Sequence, residues 1–309
     1  MKATVQHTIQ QDVQMLNYLF SQGGPEPHQY GEVDTWVDQV AVKFKTGVYD
    51  KKEHKKLRAV FNDDFRTHTI QGHAQRQPYG YAGDFEIIDK IYTHHTTDNP
   101  QFVRWDKYFH QFDATKAVRN RKEFFKSIID QMLDSTEGEI EILNLASGPC
   151  RDLKEVYDKV GVGRLKATCI DLDKHAIAFA EDLTKDYQNE IEFINQNVVR
   201  FHVEKKFDLI WSAGLFDYFE DRVFVMVLKN LRNMLKPGGR LVIGNFSEDN
   251  PTRDNMELFG DWFLHHRSED KLNELALQAG ADADEIFIET EPLGVNLFLT
   301  VNNKQIKKV

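Results

Sequence analysis

At 309 residues the chain is long for one compact core, so two domains, or one large domain with a cap, are expected. Hydrophobic residues make up 41% and charged residues 28%, an ordinary globular balance, and no apolar run approaches the ~18 residues of a membrane span. The net charge of −10 argues against a nucleic-acid partner, and "MKATVQHTIQQDVQ" lacks the apolar stretch of a secretory signal, so a cytoplasmic protein is expected.

The first ~135 residues carry apolar side chains at helical spacing. Val13, Leu16, Leu19 and Phe20 form one such set, and Trp36, Val40 and Phe44 another. The run "DKKEHKKLR" at 50–58 reads as a solvated helix face. In "QRQPYGYAGDFEIIDKIY" (75–92), Pro78, Gly80 and Gly83 mark a loop before a further helix. Phe124, Phe125, Ile128, Ile129, Met132 and Leu133 make the clearest stripe, and the polar "DSTEGE" at 134–139 follows it. The expected division is a helical cap or substrate domain over 1–135 and a Rossmann-like domain over 136–309.

Beyond the break, strands and helices alternate, the pattern of a parallel sheet with helices on both faces. Strands are predicted at 140–146, 166–171, 191–195, 207–212, 240–246, 285–290 and 296–302. Helices are predicted at 152–160, 174–187, 221–235 and 268–279. Between 235 and 240 the chain should make a Pro-Gly-Gly turn. The last two strands have no helix between them, so the seventh should pair antiparallel at the end of the sheet. Cys150 and Cys169 fall at the ends of buried strands and read as small hydrophobes rather than a disulfide.

In open α/β sheets ligands bind beyond the carboxyl ends of the strands. After the first strand comes Ala146-Ser147-Gly148-Pro149-Cys150-Arg151, a small-residue loop that lets a ligand approach the backbone. Of the glycines in a dinucleotide-binding loop only Gly148 is present, and a plain strand-to-helix turn is the alternative. Asp171, about 20 residues on, is placed to accept from ribose hydroxyls, while Asp173 reads as a helix N-cap. Asn197 either offers its amide to an adenine edge beside Val198 or is a turn residue. The fourth strand opens into Ser212-Ala213-Gly214 and an aromatic, acidic cluster, and the fifth ends at Asn245.

The ordered set "LNLASGPCRD", "CIDLD", "FINQNVV", "FDLIWSAGLFDYF" and "LKPGGRLVIGNF" resembles the class I S-adenosylmethionine-dependent methyltransferases over roughly residues 138–303. The resemblance implies a seven-stranded Rossmann-like sheet with its last strand antiparallel. It also implies S-adenosylmethionine as cofactor, with the 146–150 loop on the methionine part, Asp171 on the ribose and Asn197 by the adenine. Ala146 and Cys150 stand where glycines are common, and Asn197 where Asp is usual. The cofactor carries no pyrophosphate, so a loop with fewer glycines suits it. "PYGYAGDFEIIDKIY", "AVRNR", "AGLFDYF" and "GNFSEDNPTRDNMELFGDWFLHHRS" are further similar to bacterial methyltransferases related to 3-hydroxy fatty acid methyl ester synthases.

Other candidates divide between function and scaffold. Arg119 could clamp the cofactor's carboxylate and Arg121 a substrate carboxylate, or both could lie on a solvated face. Tyr81 could close over the sulfonium with Tyr79 on the substrate side, or both could pack the cap. Asp217 and Tyr218 are the candidate catalytic pair, and Asn245, Trp262 and His265 the remaining substrate contacts. Residues 250–266 read as one insertion suited to a lid. The histidines at 68, 73, 94, 95, 265 and 266 lack metal-ligand spacing, so no metal is expected. The function expected is methylation of a small molecule, best a fatty-acid-like carboxylate, in an oligomeric state the sequence leaves open. The alternatives are N- or O-methylation of a polar metabolite and a non-catalytic cofactor-binding protein.

Overall fold

The computed structural model describes residues 8–304. Helices α1 (Ile9–Ser21), α2 (Tyr30–Lys45), α3 (Lys51–Arg58), α4 (Asp63–His68), α5 (Ile70–Arg76), α6 (Phe85–Tyr92), α7 (Val103–Phe109) and α8 (Asp113–Ser135) come first. Then follow β1 (Ile140–Leu145), α9 (Arg151–Val160), β2 (Leu165–Asp171), α10 (Lys174–Leu183), β3 (Ile191–Asn195), β4 (Phe207–Ser212) and α11 (Asp221–Arg232). The chain continues through β5 (Leu235–Phe246), α12 (Arg253–Gly260), α13 (Glu269–Gln278), β6 (Ile286–Thr290) and β7 (Asn296–Asn302). Among the described residues no helix is long and apolar enough to cross a membrane.

The chain divides into two units. One runs to Thr115 and takes in Pro251–Phe263; the other holds Lys116–Asn250 and the chain from Leu264 onward. This differs from the expected boundary at 135/136. The reason lies in the apolar stripe of α8, where Phe124 stacks on Phe298 of β7 at 3.8 Å and Phe125 meets Trp211 of β4 at 5.1 Å. From Lys116 on, α8 is thus a layer of the sheet unit.

In the helical unit, short helices start at polar residues whose side chains satisfy the first free N–H groups. Asp50 caps α3, Asn62 α4, Thr69 α5 and Asp84 α6. Phe61, Phe65, Trp105 and Phe259 pack ring against ring, with Phe61 and Phe65 stacked at 4.5 Å. Asp12, fully buried, accepts from Trp36 Nε1 at 3.0 Å, Lys43 Nζ at 2.7 Å and the Tyr49 hydroxyl. It ties α1 to α2 and to the strap leading into α3.

The other unit is built on a seven-stranded sheet of order β3-β2-β1-β4-β5-β7-β6. β7 is antiparallel to both neighbours and the other pairings are parallel. It lies one strand in from the edge rather than at the end of the sheet, and β6 forms the border. Central strands are buried on both faces, which is why they read as near-continuous apolar runs. Leu143 and Leu145 of β1 join the core shared with α11 and α13, while Ile140 and Ile142 join that of α8 and α9. The Pro-Gly-Gly stretch is not a turn before β5 but a bulge within it. Phe207 pairs with Leu235 and Leu209 with Arg240, so the extra residues loop out.

Candidate active site

Strand order reverses at β1 and β4, where a parallel sheet opens its ligand crevice. Three residues of the loop leaving β1 take left-handed backbone conformations: Ala146 at φ 48°, Gly148 at φ 53° and Cys150 at φ 52°. Ala146 and Cys150 occupy the positions where the sequence pattern leads one to look for glycine, and their backbones adopt the glycine conformation despite a Cβ. Such strain, about 1–3 kcal/mol each, concentrates where a loop is shaped for a ligand. Ser147 N–H donates to Ile170 O at 3.1 Å, and its Oγ is buried with no hydrogen-bond partner among the described residues. Cys150 and Cys169 are both buried, with Sγ atoms 3.8 Å apart.

Asp171 ends β2 and faces this loop. Its Oδ2 accepts from Gly148 N–H and its Oδ1 from Asp173 N–H, each at 2.9 Å. At 8% exposure, burial pushes its pKa up, and the backbone N–H groups of Asp173, Gly148 and Leu172 oppose the shift. A carboxylate has about four lone-pair sites, so it can still accept from a ligand hydroxyl. Asp171 and the unpartnered Ser147 Oγ therefore fit a ribose-bearing group laid along the loop. Asp173 caps α10, accepting from His175 N–H at 2.8 Å. Asn197 caps the short turn at 198–200 through Val199 N–H at 2.9 Å, which leaves its NH₂ as the group able to meet a base edge. Val198 is buried beside it, and the Ala213 carbonyl packs on Gly244, where a Cβ would lie 2.4 Å from it.

Past β4 the structure revises several expected roles. Asp217 is 1% exposed, and its Oδ1 accepts from Phe246 N–H at 2.6 Å while its backbone carbonyl accepts from His265 N–H at 2.7 Å. Burial raises its pKa to about 6, against the backbone bond to Phe246 and the charges of Arg121 and Arg267. It holds the strand end together rather than presenting a carboxylate at the surface. Asn245 is fully buried and committed: its NH₂ donates to Phe246 O and His265 O, and its Oδ1 accepts from Arg267 at 2.8 Å. With every polar atom engaged, it is not a substrate contact. Tyr218, 40% exposed, is the outward member of the pair.

Arg121 is buried, with Nη1 so close to Gly214 that a Cβ there would lie 2.7 Å away. Its charge acts on two buried carboxylates, Asp217 and Asp152, the second also raised by burial to about 6. Two carboxylates already balance this guanidinium, which makes it a poor clamp for a third. Arg119 is half-buried, and desolvation lowers its pKa. The sequence reading missed Asp152 and Arg267. An acidic residue in a helix's first turn is common, and a lone arginine after two histidines has no pattern, so only burial reveals either.

The remaining candidates lie in different units. Residues 251–263, with Trp262 buried among them, belong to the helical unit and His265 to the sheet unit, so the 250–266 connection between β5 and α13 divides between the two units. In the helical unit the Tyr79 hydroxyl donates to Glu86 at 3.2 Å, and its ring packs on Phe85. Tyr81 is partly exposed in the same loop. His73, for which the sequence shows no acidic partner at motif spacing, is buried with Nε2 at 2.8 Å from Asp84 Oδ2. Among the described residues no group of three or more His, Cys, Asp or Glu side chains is placed to hold a metal ion.

Residues 142–239 match the family model described as a methyltransferase domain. No curated protein sequence matches the chain. A Bordetella parapertussis structure described as a possible exported protein is 14% identical, covers 98% of this chain and 99% of its own, and has a TM-score of 0.63. The CMeT domain of the citrinin polyketide synthase is 14% identical over 82% of this chain and 69% of its own, at a TM-score of 0.53. The N-methyltransferase NodS from Bradyrhizobium japonicum WM9, with S-adenosyl-L-homocysteine, is 17% identical over 71% and 97%, at 0.45. The first two likenesses concern the fold; at 0.45 the third adds nothing to it. The chain carries a class I methyltransferase domain, and as an enzyme of that kind it uses S-adenosylmethionine.

Proposed function

We propose that this methyltransferase acts on a small molecule in the cytoplasm and that the acceptor atom is a carboxylate oxygen of a fatty-acid-like acid. The observation that carries the proposal is the state of Asp217. The acidic residue nearest the end of β4 is buried on the Phe246 amide, so the strand end supplies no carboxylate base to the acceptor. A carboxylate needs none, because with a pKa of roughly 4 it is ionised at neutral pH. An amine or phenol must first lose a proton. The similarity of several segments to fatty acid methyl ester synthases supports the same reading.

In this proposal Asp171 orients the ribose, Ser147 and Gly148 with Ala146 line the methionine part, and Asn197 and Val198 border the adenine near Ala213. Arg119 answers the cofactor's own carboxylate. Tyr218 touches the acceptor, and Asp217 is a positioning residue that acts through Phe246. Tyr81, Tyr79, Trp262 and His265 are further proposed contacts. S-adenosylmethionine supplies an electrophilic methyl group. The protein aligns the acceptor with it and excludes water.

The test is methyl transfer from labelled cofactor to a series of medium- and long-chain 3-hydroxy acids, followed by mass spectrometry across pH. A methyl ester product and a single-turnover rate nearly flat from about pH 6 to 9 are expected. A tenfold rise per pH unit, or label on nitrogen, would overturn the carboxylate and leave the methyltransferase in place.

A further inference from the structure

The basic run at 50–58, read from sequence as a solvated face, lines a cavity of about 630 Å³ in the helical unit. That volume lies in the range of small-molecule sites. Lys51, Lys55 and Arg58 fall on one stripe of α3 (i, i+4, i+7), and Arg66 of α4 and Arg76 of α5 line the same cavity. Five cations thus line it with one acid, Asp261, which pairs with Arg58, while the exposed Asp63 outside the lining lies 3.7 Å from Arg66. In a chain of net charge −10, this is a concentration of like charge that costs free energy when nothing balances it.

The donors are held in place. Arg76 Nε–H donates to Arg66 O at 2.9 Å, and an Arg66 Nη donates to Arg58 O at 3.2 Å. Each guanidinium is anchored through one nitrogen, which fixes its plane. Arg66 Nε and both amide atoms of Gln75, another lining residue, are buried with no hydrogen-bond partner among the described residues. Buried polar atoms without partners are uncommon and point to a ligand that completes them. Lys51 and Lys55 are exposed and make no ion pair among the described residues. At the wall stands Phe263, 61% exposed, its ring open to the cavity.

We infer that this cavity binds a polyphosphorylated small molecule of nucleoside di- or triphosphate size. A single carboxylate would neutralise one of the net four charges, whereas a di- or triphosphate matches most of them. Arginine forks suit phosphate oxygens in pairs. Phe263 offers a face on which a base or other flat group can stack.

Calorimetric titration of the full chain with ADP, ATP and inorganic pyrophosphate at low ionic strength tests it. Vesicles containing phosphatidylglycerol form a separate arm. ADP or ATP should bind, tenfold or more weakly in Lys55→Glu and Arg76→Glu, and more weakly as salt rises. S-adenosylhomocysteine affinity should stay unchanged in both variants, which shows that they are folded. Phe263→Ala should weaken ADP but not pyrophosphate. Asp171→Ala separates the inference from the cofactor reading, because ADP in the cofactor site would be lost there and kept in Arg76→Glu. That pattern would overturn the proposal, as would absence of binding at millimolar ligand, equal affinity in the charge-reversal variants, or binding to vesicles alone.

Discussion

Asp12 in the helical unit and Asp217 in the sheet unit are equally buried, yet they are held differently. Asp12 accepts from an indole, an ammonium and a phenol, three side chains from two separate segments. Asp217 receives one backbone N–H and lies in the field of two guanidinium groups, and its pKa stands at about 6. Asp106, again in the helical unit, accepts from Ile70 and Thr97 N–H and pins the start of α5. Asp12 and Asp106 are ties between elements of the helical unit, and Asp217 ties the end of β5 in the sheet unit. Asp171, at the end of β2, retains capacity that a ligand can fill. Burial alone does not tell a tie from a site; the number and origin of the donors does.

The largest test of that contrast is Asp12→Ala. It leaves the Lys43 ammonium buried without its carboxylate, and breaking such a pair costs about 3–5 kcal/mol. Urea unfolding should shift by that amount, and a loss below 1 kcal/mol would mean that Asp12 is no tie. Asp217→Asn comes next. The folded value of about 6 lies above the ordinary 3.8, so the native state binds more protons between about pH 4 and 6. Stability contributed by this group therefore falls as pH rises through that window. Relative to wild type, the Asn variant should gain about 2 kcal/mol between pH 4 and 7. Parallel stability curves would show that Asp217 ionises as freely as an exposed acid.

Asp171→Ala should weaken S-adenosylhomocysteine by tenfold or more in calorimetry, since hydrogen bonds to a charged group are worth ~1.5–3 kcal/mol. Wild-type affinity should also fall at acidic pH, because protonation of this already raised group removes an acceptor. Unchanged affinity would take Asp171 out of the site. The smallest effect belongs to its neighbour. Asp173→Ala removes the α10 cap and should cost about 1 kcal/mol in unfolding, with cofactor affinity intact. A matching loss of affinity would erase the distinction between cap and site within three residues.

Periodicity revealed the strands, their alternation with helices and the loop after β1, because apolar spacing and strand-end chemistry are local. Asp173 as a cap and the position of Asp171 at the end of β2 were legible for the same reason: each follows from distance to a helix start or strand end. Asn245 and Arg121 read as polar groups available to a substrate, since nothing local records that Arg267 and two carboxylates lie against them. The basic stripe of α3 read as a solvated face, and its lysines are exposed; that Arg66 and Arg76 line the same cavity from other helices is not recorded locally.

The sequence by itself determined the order of elements, the methyltransferase pattern of strand ends and the place of the small-residue loop at 146–150. Those properties depend on side-chain period, residue size and backbone sterics within a few residues. Tertiary structure alone decided that β7 lies inside the border strand, that α8 from Lys116 belongs to the sheet unit and that 250–266 divides at Phe263. It also decided which polar groups are already satisfied. Burial, field and hydrogen-bond saturation are sums over residues distant in the chain, and no window of sequence contains them.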